Sequence, residues 1–212
     1  VIWSVAPLYL AVVASIYTEK FRTKLWVDYR DPWSISQAYG FSLISKEKHA
    51  VEVKSETSLL NIARKVSMPS RVMMDDYSQA FPVVENKLVH LPHGYDSSLE
   101  RISRIKPYTK FIYGGTLYED IDAELNIFDA FLVDNQLSAK FYLLNSRRIV
   151  SSYSFEHIEI KPSLSEQLFF KLIEEYDVFV SMVPEKYKDY ISTKYFQLIH
   201  MGIPILHIGP TG

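Results

Sequence analysis

Ser192, Thr193, Lys194 and Gln197 stand at the start of an apolar-patterned run, and their types suit the holding of a phosphate group and the hydroxyls beside it. A helix opening here presents unpaired backbone N–H groups and the positive end of its dipole, next to two hydroxyls and an ammonium. Gln197 lies three residues after Lys194 and four after Thr193, on the same helical face, where its amide can reach ribose hydroxyls. The same pattern also fits an ordinary αβ unit with a solvated polar first turn. A second set is Gly114-Gly115-Thr116, directly after the apolar Phe111-Ile112-Tyr113. Adjacent glycines let the backbone approach a ligand closely, although the GxGxxG spacing of dinucleotide sites is absent. A third set, Asp28, Arg30 and Asp31, crowds the end of the run Leu25 to Tyr29; Pro32 blocks further ladder pairing and Trp33 offers a flat apolar surface. These charges either serve catalysis at a strand end or pair among themselves, Arg30 with Asp28 or Asp31, to hold the loop.

The elements that position these residues alternate between strand and helix. A buried parallel strand is expected at Ile203 to Ile208 after a short helix that Gly202 ends, and its carboxyl end is the edge where open α/β sheets bind ligands. Upstream, the periodicity predicts a helix over Leu8 to Tyr17, a strand over Leu25 to Tyr29, and one long helix from Glu47 to Val66 with Leu59, Leu60, Ile62, Ala63 and Val66 on its apolar side. A helix from Ser70 to Ala80 and a short strand from Leu88 to Leu91 follow. Further strands are expected at Phe111 to Tyr113, Ala139 to Leu144, Phe155 to Ile160 and Asp177 to Val183, with helices over Ala123 to Val133 and Glu166 to Glu175. Ser165 is placed to cap the last of these. The reading is an α/β chain of two Rossmann-like, doubly wound halves: a partial domain over 1–98, a linker over 99–110 and an incomplete second domain over 111–212.

Composition narrows the function classes. The chain has 212 residues, 48% hydrophobic, with a formal net charge of -2 and no basic block, so no electrostatic footprint for nucleic acid. There are no cysteines and the six histidines are scattered, so neither disulfides nor a metal held by protein ligands is expected. The apolar opening VIWSVAPLYLAVVASIY carries Ser4 and Pro7, is shorter than the ~20 residues a spanning helix needs, and has its charges after it rather than before. A cytoplasmic location is expected, with peripheral contact to a membrane left open, and the chain is expected to begin inside a domain.

Four segments in this order resemble bacterial glycosyltransferases of family 4 type. WVDYRDPWS is similar to their DxRDPW segment, LPHGYD to their hinge motif iPNGyD, FIYGGTLYED to xYxGtLY, and TKYFQLIHMGIPILHIGP to the donor-site pattern sKxfEYlaxGxPILxi. The resemblance implies a GT-B fold truncated at both ends, with an acceptor on the first domain and a nucleotide-sugar donor on the second. It implies a hexosyltransferase-type enzyme moving sugar to a glycan or lipid-linked acceptor in surface polysaccharide synthesis, with no cofactor and no metal. Carried over, Gly114, Gly115 and Thr116 approach the donor diphosphate, Ser192, Thr193 and Lys194 neutralise it, and Gln197 takes the ribose position. Asp31, with Arg30, matches the position that faces the reacting sugar.

Several residues depart from that pattern. Gln197 stands where glutamate is usual, and Asp189 where many members have another glutamate eight residues earlier. Glu119, Asp120 and Asp122 replace basic residues after the glycines and would repel a diphosphate if they faced it, and His93 replaces the hinge asparagine. Two alternatives share the fold: a nucleotide-sugar epimerase, which would turn donor over without an acceptor, and a non-catalytic nucleotide-sugar binder, which would hold donor unchanged.

Overall fold

In the computed structural model the chain forms two compact units, the described residues up to His93 and those from Gly94 onward. The structure describes residues 2–4, 10–36, 44–103, 107–118, 120–146, 153, 155–188 and 192–210.

The first unit is a parallel sheet of β1 (Ile2–Ser4), β2 (Leu25–Asp28), β3 (Ala63–Met68) and β4 (Leu88–His90), in that order. Its helices are α1 (Leu10–Phe21), α2 (Lys46–Ile62) and α3 (Arg71–Ala80). Serine caps start two of them: Ser45 Oγ accepts from the Lys48 N–H and Ser70 Oγ from the Met73 N–H. Leu25, Val27, Leu59, Leu60, Val66 and Tyr77 form the core, all 1% exposed or less.

The long helix expected over 47–66 is two elements. α2 ends at Ile62, and Ala63 turns to an extended conformation while its N–H still bonds the Leu59 carbonyl. No glycine or proline marks this end. Instead the Lys87 ammonium, reaching from just before β4, donates to the carbonyls of Leu60 and Asn61 at 2.9 and 3.0 Å, satisfying acceptors a helix end leaves open. Val66, Ser67 and Met68 are then buried as β3, paired on both sides by β2 and β4. The apolar spacing fits both periods, and the two neighbouring strands decide between them.

Among the described residues the second unit has five parallel strands: β5 (Lys110–Gly115), β6 (Ser138–Leu143), β7 (Ile158–Pro162), β8 (Val178–Met182) and β9 (Ile205–Ile208), in the order β7-β6-β5-β8-β9. Its helices are α4 (Asp122–Asp134), α5 (Glu166–Leu172) and α6 (Thr193–Met201). Alternation along β5 sends Phe111 and Tyr113 to one face with Leu125 and Phe128 of α4, and Ile112 to the other with Phe169 of α5 and Leu198 of α6. The sheet is therefore covered on both faces, and its strand order reverses between β5 and β8. Such a switch point opens a crevice at the carboxyl ends of the strands.

The segment before β5 is tied to this unit. Leu99 and Ile102 pack on the α5/α6 core, the Ile102 N–H donates to the Met201 carbonyl at 2.7 Å, and the His200 ring stacks on Tyr95 at 4.3 Å. Among the described residues no helix is long and apolar enough to cross a membrane.

Candidate functional site

The start of α6 is built by its own sequence. Ser192 is the N-cap, its Oγ accepting from the Lys194 N–H at 3.3 Å, and Gly202 closes the helix in the left-handed region at φ 76°. From the first turn Lys194 reaches back to the end of β5: a Cβ built on Gly115 would stand 3.5 Å from the Lys194 Nζ. The lysine and the glycine pair, far apart in sequence, thus meet at the switch point.

They face a cavity of about 250 Å³. Gly114, Gly115, Ser163, Glu166, Thr193 and Lys194 line it together with the rings of Tyr142, Phe169 and Phe170. The two glycines serve different purposes. A Cβ on Gly114 would fall 2.3 Å from Phe169 Cε2, so this glycine makes room for the ring, whereas Gly115 has φ 146°, which disfavours any side chain, and its Cβ would touch the ammonium. Burial pushes the Lys194 ammonium below the usual lysine range, and the charge of Glu166 partly offsets this. Lys194 makes no salt bridge to a described residue, so its charge is available to an anion.

The remaining sequence-selected residues of this unit lie as follows. Thr116 is not among the described residues lining the cavity; its carbonyl accepts from the Tyr113 hydroxyl at 2.8 Å. Gln197 donates through Nε2 to Glu166 Oε1 at 3.3 Å, and Glu166 is the one of the two that lines the cavity. Asp189 and Glu119 lie outside the described residues. Asp120 pairs with Lys186 at 2.8 Å and Asp122 accepts from the Tyr153 hydroxyl, so both of these acids have partners of their own. Glu166 was missed by sequence reasoning, which took the segment before it only as a helix cap. The available signal was topological: the loop between β7 and α5 ends at the same sheet edge as Gly115.

In the first unit, Arg30 Nε donates to Asp28 Oδ2 at 2.7 Å. Asp28 Oδ1 accepts in turn from Ser67 Oγ at 2.6 Å, and Ser67 Oγ accepts from Trp26 Nε1 at 2.9 Å. Arg30 Nη1 also lies 3.5 Å from His93 Nδ1; burial, and then the Arg30 charge, hold that imidazole below its ordinary pKa, which suits a neutral ring accepting from the guanidinium. Asp31 is half-buried beside this network. Trp33 does not offer the expected open surface: it is 2% exposed, with Nε1 donating to Glu52 at 2.9 Å and its backbone N–H to the Tyr77 hydroxyl at 2.8 Å.

Neither a family model nor a curated protein sequence matches the chain. Solved structures do resemble it. HepE of Anabaena, crystallised in complex with UDP-glucose, superposes with a TM-score of 0.67 at 13% identity over 97% of this chain. A glycosyltransferase from Rickettsia africae gives 0.51 at 11% identity over 97% of this chain and 67% of its own, and TarM gives 0.56 at 12% over 93% and 44%. The fold is GT-B. The chain spans 59% of the length of the HepE chain. At these identities the likeness establishes architecture, and the chemistry must come from the cavity itself.

Proposed function

We propose that the second unit binds the diphosphate of a nucleotide-sugar at the start of α6, and that the protein is a glycosyltransferase of hexosyltransferase type, similar to family 4. The observation that carries this reading is the Lys194 ammonium standing beside Gly115 in a cavity at the switch point. The positive end of the α6 dipole and the Lys194 ammonium neutralise the charge that builds on the leaving nucleoside diphosphate, the role a metal takes in other transferases. The sugar C1–O bond to phosphate breaks with its electron pair leaving on the nucleoside diphosphate, a bond from C1 to the acceptor oxygen forms, and the acceptor hydroxyl's proton is released to solvent. Asp31 is assigned to the reacting sugar, and Arg30, fixed by Asp28, to holding that loop in place. The acceptor is proposed to be a glycan or lipid-linked sugar of a surface polysaccharide. HepE, with UDP-glucose bound, is consistent with a nucleotide-sugar as the donor class.

The pairing of Asp120 with Lys186 and the hydrogen bond from Tyr153 to Asp122 lessen the repulsion these acids would offer a diphosphate. Titration calorimetry with UDP, GDP and ADP tests the site: Lys194→Ala weakens the bound nucleotide about 10- to 100-fold, the worth of one charge-assisted contact. Unchanged affinity removes Lys194 from the site. Asp31→Asn is expected to leave nucleotide affinity within about twofold and to lower turnover by about 100-fold or more, the scale of a positioned proton-transfer or charge-stabilising group. Wild-type turnover in that variant removes Asp31 from the chemistry.

A further inference from the structure

Each unit leaves the outer face of one helix bare. On α1, Ala14 and Thr18 are buried, Ala14 in the core of the first unit, while Val13, Ile16, Tyr17 and Phe21 are each at least 46% exposed. The Tyr17 and Phe21 rings pack on one another with centroids 4.6 Å apart, and Lys20 Nζ stands 5.6 Å from the centre of the Phe21 ring. The stripe ends among the exposed cations Lys20, Arg22 and Lys24, with Glu19 as the only acid between positions 10 and 24. On α4, Leu125, Phe128 and Leu132 are buried, and Ile127 and Phe131, 62% and 39% exposed, lie outward with Ala123 and Ala130. This helix carries Asp122, Glu124, Asp129 and Asp134 and no basic residue. Exposed apolar stripes rimmed by charge mark binding surfaces.

The two faces fit each other. One is basic and the other acidic, so α1 on α1 or α4 on α4 would set like charges together, whereas α1 on α4 sets opposite ones. Their lengths match, 12 and 13 residues, or about 18–20 Å. Laid antiparallel with Tyr17 opposite Ile127, the stripes put Val13 across from Phe131 and Phe21 across from Ala123, a large residue against a small one at either end. The same register brings Lys20 toward Glu124 and Arg22 toward Asp122, and the negative end of the α1 dipole toward the positive end of α4. We infer that α1 of one copy docks on α4 of another, so that the chain associates with itself. The joined faces differ, so a pair of copies holds one unused α1 and one unused α4, which either close on each other or take up further copies. Two single helix faces make a small contact, and the association is accordingly weak.

Sedimentation velocity on the full chain, from about 1 to about 100 µM, reads this association directly. Wild type is expected to run as a monomer at the low end and as a dimer or larger species at the high end. Tyr17→Ser and Ile127→Lys each weaken the association about 10-fold or more, the effect of spoiling the centre of a contact. Both residues are exposed, so the melting temperature stays at the wild-type value. An equimolar mixture of the two variants associates again, because one supplies an intact α4 and the other an intact α1. Wild type that stays monomeric, association that either variant leaves unchanged, or a mixture that stays apart overturns the inference. Wild type that stays monomeric yet sediments with vesicles of anionic lipid, in a way Tyr17→Ser abolishes, makes α1 a membrane face and overturns it too. Nucleotide affinity is read separately, and the donor reading stands or falls without reference to these outcomes.

Discussion

Glu56→Ala is expected to destabilise the first unit by about 2–4 kcal/mol, read as a lower urea midpoint at unchanged slope. Glu56 is fully buried, and its carboxylate holds the loop that follows β2: Oε2 accepts from the Ser34 N–H at 2.9 Å and Oε1 from the Tyr77 hydroxyl at 2.7 Å. The Tyr77 hydroxyl also accepts from the Trp33 N–H, and His49 Nε2 lies 2.8 Å from the Ser34 carbonyl. Removing the carboxylate leaves the Ser34 N–H and the Tyr77 proton buried without an acceptor, which is costlier than losing the bonds alone. The loop next to Arg30 and Asp31 would loosen, so under the role proposed for Asp31 turnover falls while affinity at the nucleotide site proposed for the second unit is kept. A midpoint shift worth under about 1 kcal/mol would mean the loop is held by other contacts.

The same group sets a pH signature. Burial holds the Glu56 carboxyl above the usual carboxylate range, against the bonds from Ser34 and Tyr77, which lower it. Between the unfolded value and this raised one, the folded unit binds more protons than the unfolded chain. Glu56 therefore makes stability fall as pH rises through that window, and the alanine variant lacks this slope.

Gly115→Ala is expected to reduce nucleoside diphosphate affinity by about 10- to 100-fold, the worth of one charge-assisted phosphate contact. Its Cβ would stand 3.5 Å from the Lys194 Nζ, an ordinary contact in the free protein that fills the approach to the ammonium. The backbone at φ 146° also disfavours any side chain, so a loss of about 1–3 kcal/mol in stability accompanies the change. Gly114→Ala is the control. There the Cβ would meet the Phe169 ring at 2.3 Å, so the melting temperature falls because the core must shift. Calorimetry on Gly115→Ala with near wild-type affinity would place the phosphates elsewhere.

Most of what the residues could settle by themselves was local. Ser45, Ser70, Ser165 and Ser192 cap helices through bonds to N–H groups two or three positions away, and Gly202 ends α6 through its left-handed backbone, so these boundaries are written in neighbouring residues. Alternating strands and helices already implied parallel sheets, and parallel sheets bring the segments after Tyr113 and before Thr193 to one edge. Tertiary structure decided the rest, because each remaining choice depended on a partner distant in the chain. Ala63–Met68 became a strand through β2, β4 and the Lys87 ammonium; Trp33 was buried by Glu52 and Tyr77; Arg30 took Asp28, itself held by Ser67. Glu166 entered the cavity wall only because β7 lies two strands from β5, a neighbour relation that no local spacing encodes.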